Sequence, residues 1–267
     1  MKEENACSWL KCDISHPRNP VFRKANNWLH PSFPILHPCA MPWQDTPVHV
    51  LDFEGSRRSG IVEFGVVTLH RGKIAATHTR LCAPFGPIEA AEAALHGINA
   101  MEAAKTDPFT QEHDLFLGLR RSGLFAAHHA PVERTLLRRI WPIPPASPDF
   151  AAENPESALR IADWGPWLDT RRIYEHLYPN LPSYQLGELI GKFHINDELA
   201  ALAEQLCPPK RRRPHCALYD ALAAALLLAR LAGDTRSTSA SLGTLIGLSV
   251  STDEAALLNQ DEFALGE

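Results

Sequence analysis

Three β-prone runs lie close together in the chain: Val48 to Phe53, Ile61 to Leu69 and Lys73 to Cys82. The second is rich in β-branched residues, and Arg71-Gly72 supplies turn chemistry before the third, so the three read as an antiparallel meander. Pro84, Gly86 and Pro87 end it. Helical and extended patterns then alternate. Helices are expected around Ile88 to Leu95 and Asp114 to Arg121, a short apolar strand at Leu124 to Ala127, and a helix over Pro131 to Trp141. Pro131 suits a first helical turn, and Val132, Leu136 and Ile140 recur at helical spacing. A last short strand, Trp167 to Thr170, leads into a helix from Arg171, and Tyr184 to Lys192 is another helix. Cys216 to Ala232 is helical and apolar nearly all round, so it belongs in a buried position, with Gly233 as its stop. A meander followed by alternating helices and strands predicts an α/β fold with a mixed central sheet.

The rest of the chain sets the organisation. At 267 residues it is one large domain or one domain with extensions. No apolar run approaches a membrane span, and the N-terminus lacks the apolar core of a secretory signal. The six cysteines form no Cys-x-x-Cys pair and read as reduced thiols of a cytoplasmic protein. A formal charge of −5 argues against indiscriminate coating of nucleic acid but leaves room for a local basic groove. Residues 1–46 are rich in Pro, His, Asn and Trp without a sustained period, and are expected to be an irregular or mobile extension. Cys7, Cys12, His37 and Cys39 are metal-capable types there, at a spacing too irregular to favour a zinc site. A domain over 47–233 follows, and the five prolines of Trp141 to Gly165 mark a long surface insertion within it. The tail, 234–267, begins Ser/Thr-rich and has room for one or two short helices.

Against that background four sets of polar residues stand out. Asp52 and Glu54 lie two apart in the first strand, so both point to one side and repel unless a cation lies between them. A divalent metal held by hard oxygen ligands accounts for the pair; a solvent-facing strand end accounts for it more blandly. Glu133 falls in the first turn of the helix after Phe125-Ala-Ala-His-His-Ala-Pro-Val-Glu133, where the helix dipole favours a negative group whether or not it has a further task. Asp220 lies among the alanines of the apolar helix and needs a partner, either a metal or a salt bridge. Pro214 favours a loop position for His215, free to swing over a site or simply to cap the helix. Lys210-Arg-Arg-Arg213 adjoins it and is either a solvated run or a contact for a phosphodiester backbone.

The ordered set Asp-x-Glu, His-His-x-x-x-Glu and His-x-x-x-x-Asp resembles the three motifs of the DnaQ-like 3′–5′ exonucleases, the DEDDh branch of the ribonuclease H-like superfamily. Ile61-Val-Glu-Phe-Gly65, His96-Gly-Ile98, Trp167-Leu-Asp-Thr170 and Tyr184-Gln-Leu-Gly-Glu-Leu189 resemble further family segments, so the likeness spans about Pro47 to Leu231. It implies a ribonuclease H-like sheet, a three-strand antiparallel meander plus two parallel strands, flanked by helices. By the same resemblance, Asp52, Glu54, Glu133 and Asp220 hold two Mg²⁺ or Mn²⁺ ions, which clamp the attacking and leaving oxygens of a phosphodiester. His215 matches the histidine that deprotonates the attacking water, and Cys216 stands where a sister branch has tyrosine. Gly55, Ser56, His129, Lys210, Arg211, Arg212 and Arg213 are the implied nucleic-acid contacts.

Three positions depart from the pattern. Glu133 replaces Asp, His129 replaces Asn, and Gly55-Ser56 replaces Thr-Thr. The implied activity is metal-dependent 3′–5′ exonucleolytic hydrolysis, with DNA expected over RNA, although no motif reports on the sugar 2′ position. The implied partners are single-stranded or frayed 3′ ends and a DNA polymerase or other replication or repair protein, with no membrane. Gln260-Asp-Glu-Phe263 is only faintly similar to a sliding-clamp peptide. Glu133 and His129 also motivate a second reading, a degenerate exonuclease fold that binds nucleic acid or a polymerase without cutting.

Overall fold

Alternating apolar side chains build a sheet buried on both faces in this computed structural model, which describes residues 43–144, 146–150, 152, 160–233 and 240–250. Strands β1 (Val48–Ser56), β2 (Gly60–His70) and β3 (Lys73–Leu81) form the expected antiparallel meander. Arg71 and Gly72 turn β2 into β3 with φ of 53° and 70°, the left-handed pair that a tight hairpin takes. β4 (Leu124–Ala127) joins β1 in parallel and β5 (Trp167–Asp169) joins β4 in parallel, giving the order β3-β2-β1-β4-β5. The strand carrying the acid pair is therefore the central one.

The two faces have separate cores. Val48, Val50, Val67 and Leu69 point to a face covered by five helices: α5 (Thr170–Leu177), α6 (Leu186–Lys192), α7 (Asn196–Leu206), α8 (Ala217–Ala232) and α9 (Leu242–Ser249). Leu51, Phe53, Phe64 and Val66 point the other way, against α3 (His113–Ser122) and α4 (Pro131–Ile140). Two short helices, α1 (Ala90–His96) and α2 (Ala100–Ala103), follow β3. The side chains of α8 are buried nearly all round, as its composition requires. Among the described residues no helix is long and apolar enough to cross a membrane.

Three expectations need correction. Trp43–Asp45 is a 3-10 turn, and Trp43, only 1% exposed, packs into the α8-side core. The Gln44 carbonyl accepts the Arg71 amide at 2.9 Å, so the ordered fold includes residues assigned above to the extension. The described parts of the Pro-rich stretch lie only partly at the surface: Pro142, Ile143, Ala146, Arg160 and Ala162 are exposed, whereas Trp164 is buried and buried Arg120 donates to the carbonyls of Pro148, Asp163 and Gly165. Those carbonyls satisfy the cation's donors, and the ring fills the space that side chains of β4 and β5 leave. The third is α7, which the sequence reading passed over. The tail does carry a helix, α9. Cys7, Cys12, His37, Cys39 and the Gln260–Phe263 segment lie outside the described residues.

Candidate active site

The direction of the two β1 acids follows from the strand. Val48, Val50, Asp52 and Glu54 are alternate residues, and the first two point into the α8-side core. The row thus changes from apolar to acidic on one face. Directly opposite on β2 stand Gly65, paired with Asp52, and Glu63, paired with Glu54. Gly65 is demanded by packing, because a Cβ there would lie 2.3 Å from the Ala217 carbonyl carbon. The first residue of α8 rests directly on β2, and this brings Asp220 to the acid pair. Pro131 starts α4 just beyond β4, which carries Glu133 to the same place from the other side.

Glu54 and Asp220 come together with His215, and Asp52 and Glu133 lie near enough for their charges to act on this group. Burial raises Asp52 well above the ordinary carboxylate range, and the charges of Asp220, Glu133, Glu54 and Glu63 raise it further. Glu54, 7% exposed, is pushed up to about 8 by burial and by Asp220 and Glu63, against the opposing pull of Arg211 and Arg213. Asp220 rises to about 6 through burial, moderated by its hydrogen bond from the His215 amide. Glu133 is raised by burial and by Asp169 and Glu54, with a backbone hydrogen bond opposing. It is 5% exposed, and its Oε2 has no hydrogen-bond partner among the described residues. The buried, unpartnered oxygen of Glu133, which feels the charges of Asp169 and Glu54 and in turn raises Asp52, belongs to a set of hard oxygen donors short of positive charge. Such a set fits a hard divalent cation.

His215 stands at the mouth. It precedes α8, as Pro214 suggested, and takes a left-handed backbone with φ of 61°. Its amide donates to Asp220 Oδ2 at 2.8 Å. Its exposed ring, Glu54 and Asp220 each place a potential ligand atom within 4.8 Å of the others.

The remaining predicted residues fall into distinct places. Gly55 follows a bulge at the end of the acid row with φ of 133°, and a Cβ there would lie 2.0 Å from the Gly60 carbonyl oxygen. Ser56 closes the same hairpin, its amide donating to Ser59 Oγ at 3.0 Å. His129 is half-buried beside Glu133's helix, and its left-handed amide donates to Asp169 Oδ1 at 3.1 Å. Its neighbour His128 bridges Thr170 Oγ1 and the Tyr184 carbonyl, and burial lowers it to about 4, which keeps it neutral. Of the basic run, Lys210 is exposed. Arg211 turns inward onto Glu63 and the His96 carbonyl; Arg212 pairs with Glu204; Arg213 donates to the His96 carbonyl at 3.1 Å.

Two residues escaped the sequence reading. Asp169 accepts the amides of His129, Ala130, Arg171 and Arg172, tying the start of α4 to the start of α5. Its signal was an Asp-Thr pair at a strand end before a helix, an N-cap pattern. Glu63 is buried between the acid pair and Arg211, and its signal was an acid inside the apolar run Ile61-Val-Glu-Phe-Gly65.

Known structures share this arrangement of elements. One of exonuclease X in complex with 5′-overhanging duplex DNA superposes with a TM-score of 0.52 at 23% identity, covering 75% of this chain and 99% of that one. The fold is the ribonuclease H-like exonuclease fold. The nuclease domain of 3′hExo, a DEDDh family member bound to rAMP, matches at 18% identity and a TM-score of 0.46, over 71% of this chain and 92% of that one. A structure of a 3′-exonuclease recognising the 3′ end of a histone mRNA stem-loop matches at 17% identity and a TM-score of 0.49, over 73% of this chain and 67% of that one. Exonuclease I from Methylocaldum szegediense matches at 14% identity and a TM-score of 0.49, over 73% and 42%. No family model and no curated protein sequence matches the chain.

Proposed function

We propose that the chain is a metal-dependent 3′–5′ exonuclease that hydrolyses phosphodiester bonds at nucleic-acid 3′ ends. The observation that carries the reading is the cluster of Glu54, Asp220 and exposed His215, whose potential ligand atoms lie within 4.8 Å of one another, with Asp52 and buried Glu133 tied to it electrostatically. Those four residues would hold Mg²⁺ or Mn²⁺. When bound, the ions supply Lewis-acid activation of water and neutralise charge on the phosphoryl oxygens. His215 accepts the proton of the attacking water, its backbone held by Asp220. Gly55 and Ser56, at the hairpin beside Glu54, and exposed Lys210 are the groups that a terminal nucleotide and its phosphates would meet. DNA is the proposed substrate over RNA, in keeping with the DNA held by the exonuclease X structure.

One gel tests the reading. Single-stranded DNA, duplex DNA with a mismatched 3′ end, and RNA, each labelled at the 5′ end, are incubated with Mg²⁺ or Mn²⁺. Stepwise shortening from the 3′ end is expected with the wild type and its loss with Asp52→Ala or Asp220→Ala. Internal cuts, or full activity in either variant, would refute it. If neither the wild type nor Glu133→Asp degrades any substrate while both still bind nucleic acid, the chain is a binding module on an exonuclease fold.

A further inference from the structure

We propose that Glu63 and Arg211 form a buried clamp that positions His215 and Asp220, so that Arg211 serves the reaction from inside the fold. The proposal rests on the nuclease reading of the site. Glu63 lies on β2 opposite Glu54, and its carboxylate accepts two hydrogen bonds along one edge of the Arg211 guanidinium: Nε donates to Oε1 at 2.8 Å and Nη2 donates to Oε2. Nη1 of the same arginine donates to the His96 carbonyl at 2.5 Å. Glu63 Oε2 also accepts the amide of Ala217 at 2.9 Å, the first residue of α8. One carboxylate thus fixes the chain on both sides of His215, at Arg211 before it and at Ala217 after it.

Everything between those two anchors is short and constrained. His215 takes a left-handed backbone, an unfavourable state for a non-glycine residue that persists only where its surroundings enforce it. The amide so turned is the one that meets Asp220 Oδ2. Arg213 adds a second tie to the His96 carbonyl, across a turn at Gly97 where a Cβ would lie 2.4 Å from Arg213 Nη2. The close contact of Gly65 with Ala217 is an independent sign that the first turn of α8 is seated on β2. Buried ion pairs are a weak source of stability compared with apolar packing of similar volume, but their bidentate geometry fixes orientation. Only 12% of the Arg211 side chain and 3% of the Glu63 side chain are exposed, and the guanidinium nitrogens are all engaged with Glu63 and the His96 carbonyl.

The test compares Arg211→Gln and Glu63→Gln with the wild type, each with and without His215→Ala, in steady-state cleavage and in backbone hydrogen exchange. A positioning role predicts that Arg211→Gln lowers kcat roughly 10- to 100-fold, the scale of a small misplacement of a reacting group. KM should stay within about twofold. The share of the loss that runs through the His215 ring should vanish in the His215→Ala background, whereas a share carried by Asp220, held by the residue-215 amide that this substitution keeps, should persist. Amides from His215 to Asp220 should exchange faster while those of β1 and β2 keep their protection. Arg211→Lys, which retains charge and one donor toward Glu63, should recover part of kcat, and it carries the same comparisons if Arg211→Gln does not fold. A raised KM with intact kcat would make Arg211 a phosphate contact and overturn the clamp. So would losses that multiply fully with His215→Ala, or unchanged exchange from His215 to Asp220. If the wild type cuts no substrate, the nuclease reading fails, and the exchange comparison still decides whether the clamp holds this segment.

Discussion

Asp52 shows what the site asks of single residues. Burial and the charges of four other acids, Asp220, Glu133, Glu54 and Glu63, resist its ionisation. Replacing it by the neutral isostere, Asp52→Asn, should raise the melting temperature of the metal-free protein at pH 8 by a few degrees, the size of a stability gain of about 1 kcal/mol. The same variant should lose the response to added Mg²⁺ or Mn²⁺. A lower melting temperature without metal would show that the charge is compensated within the protein. Glu133→Asp should cut as well as the wild type or better, read in the gel assay, because the shorter arm still starts from the first turn of α4. The residues legible in the sequence are those whose meaning lies in local spacing: Asp52 with Glu54, and His215 with Asp220. Glu63, Asp169 and Arg211 were not legible in the same way. What Glu63 faces depends on the register of β1 against β2, and what Arg211 faces depends on how far α8 slides over the sheet.

At the scale of elements, the seat of α8 on β2 is the contact that assembles the centre. Gly65→Ala would force a methyl group into the backbone of Ala217, and no side-chain rotation relieves a backbone clash. The expected result is a loss of roughly 1–3 kcal/mol in denaturant melts, together with loss of cleavage, since Asp220 and the clamp move together. Wild-type stability in Gly65→Ala would show that α8 is not seated this closely on β2. A second element-level contact is Trp43 against the α8-side core. Trp43→Ala should lower stability by about 3–5 kcal/mol, measured in the same melts. Strong periods explain why the meander, β4, α4 and α8 could be read from sequence. Trp43 is one aromatic anchor without a period around it. α7 buries only Leu199 and Ala203 along its length, which leaves a faint apolar stripe.

The molecule as a whole carries the charge imbalance of its centre into its stability. Glu54 releases its proton at about 8 in the fold against 4.5 in the unfolded chain, so the folded state holds the extra proton across that window and loses stability as pH rises. His49 and His128 act in the opposite sense. Lowered by burial to about 4 from 6.5, they contribute stability that is present above pH 6.5 and lost as pH falls toward 4. Between pH 7 and 8 the two histidines are mostly neutral in both states, and the acids set the slope. The metal-free melting temperature should therefore decline across that range, and a divalent cation should abolish the decline; a flat profile without metal would count against the carboxylate cluster. The order of the elements along the chain has a consequence for synthesis. Glu63 and Arg211 are 148 positions apart, and Asp220 comes later still. On a translating ribosome the meander can pair early, yet the fourth acid, the histidine and the seat of α8 reach it only after most of the chain has emerged. The site of a protein proposed to digest nucleic acid is thus completed only by residues translated well after the meander on which it begins.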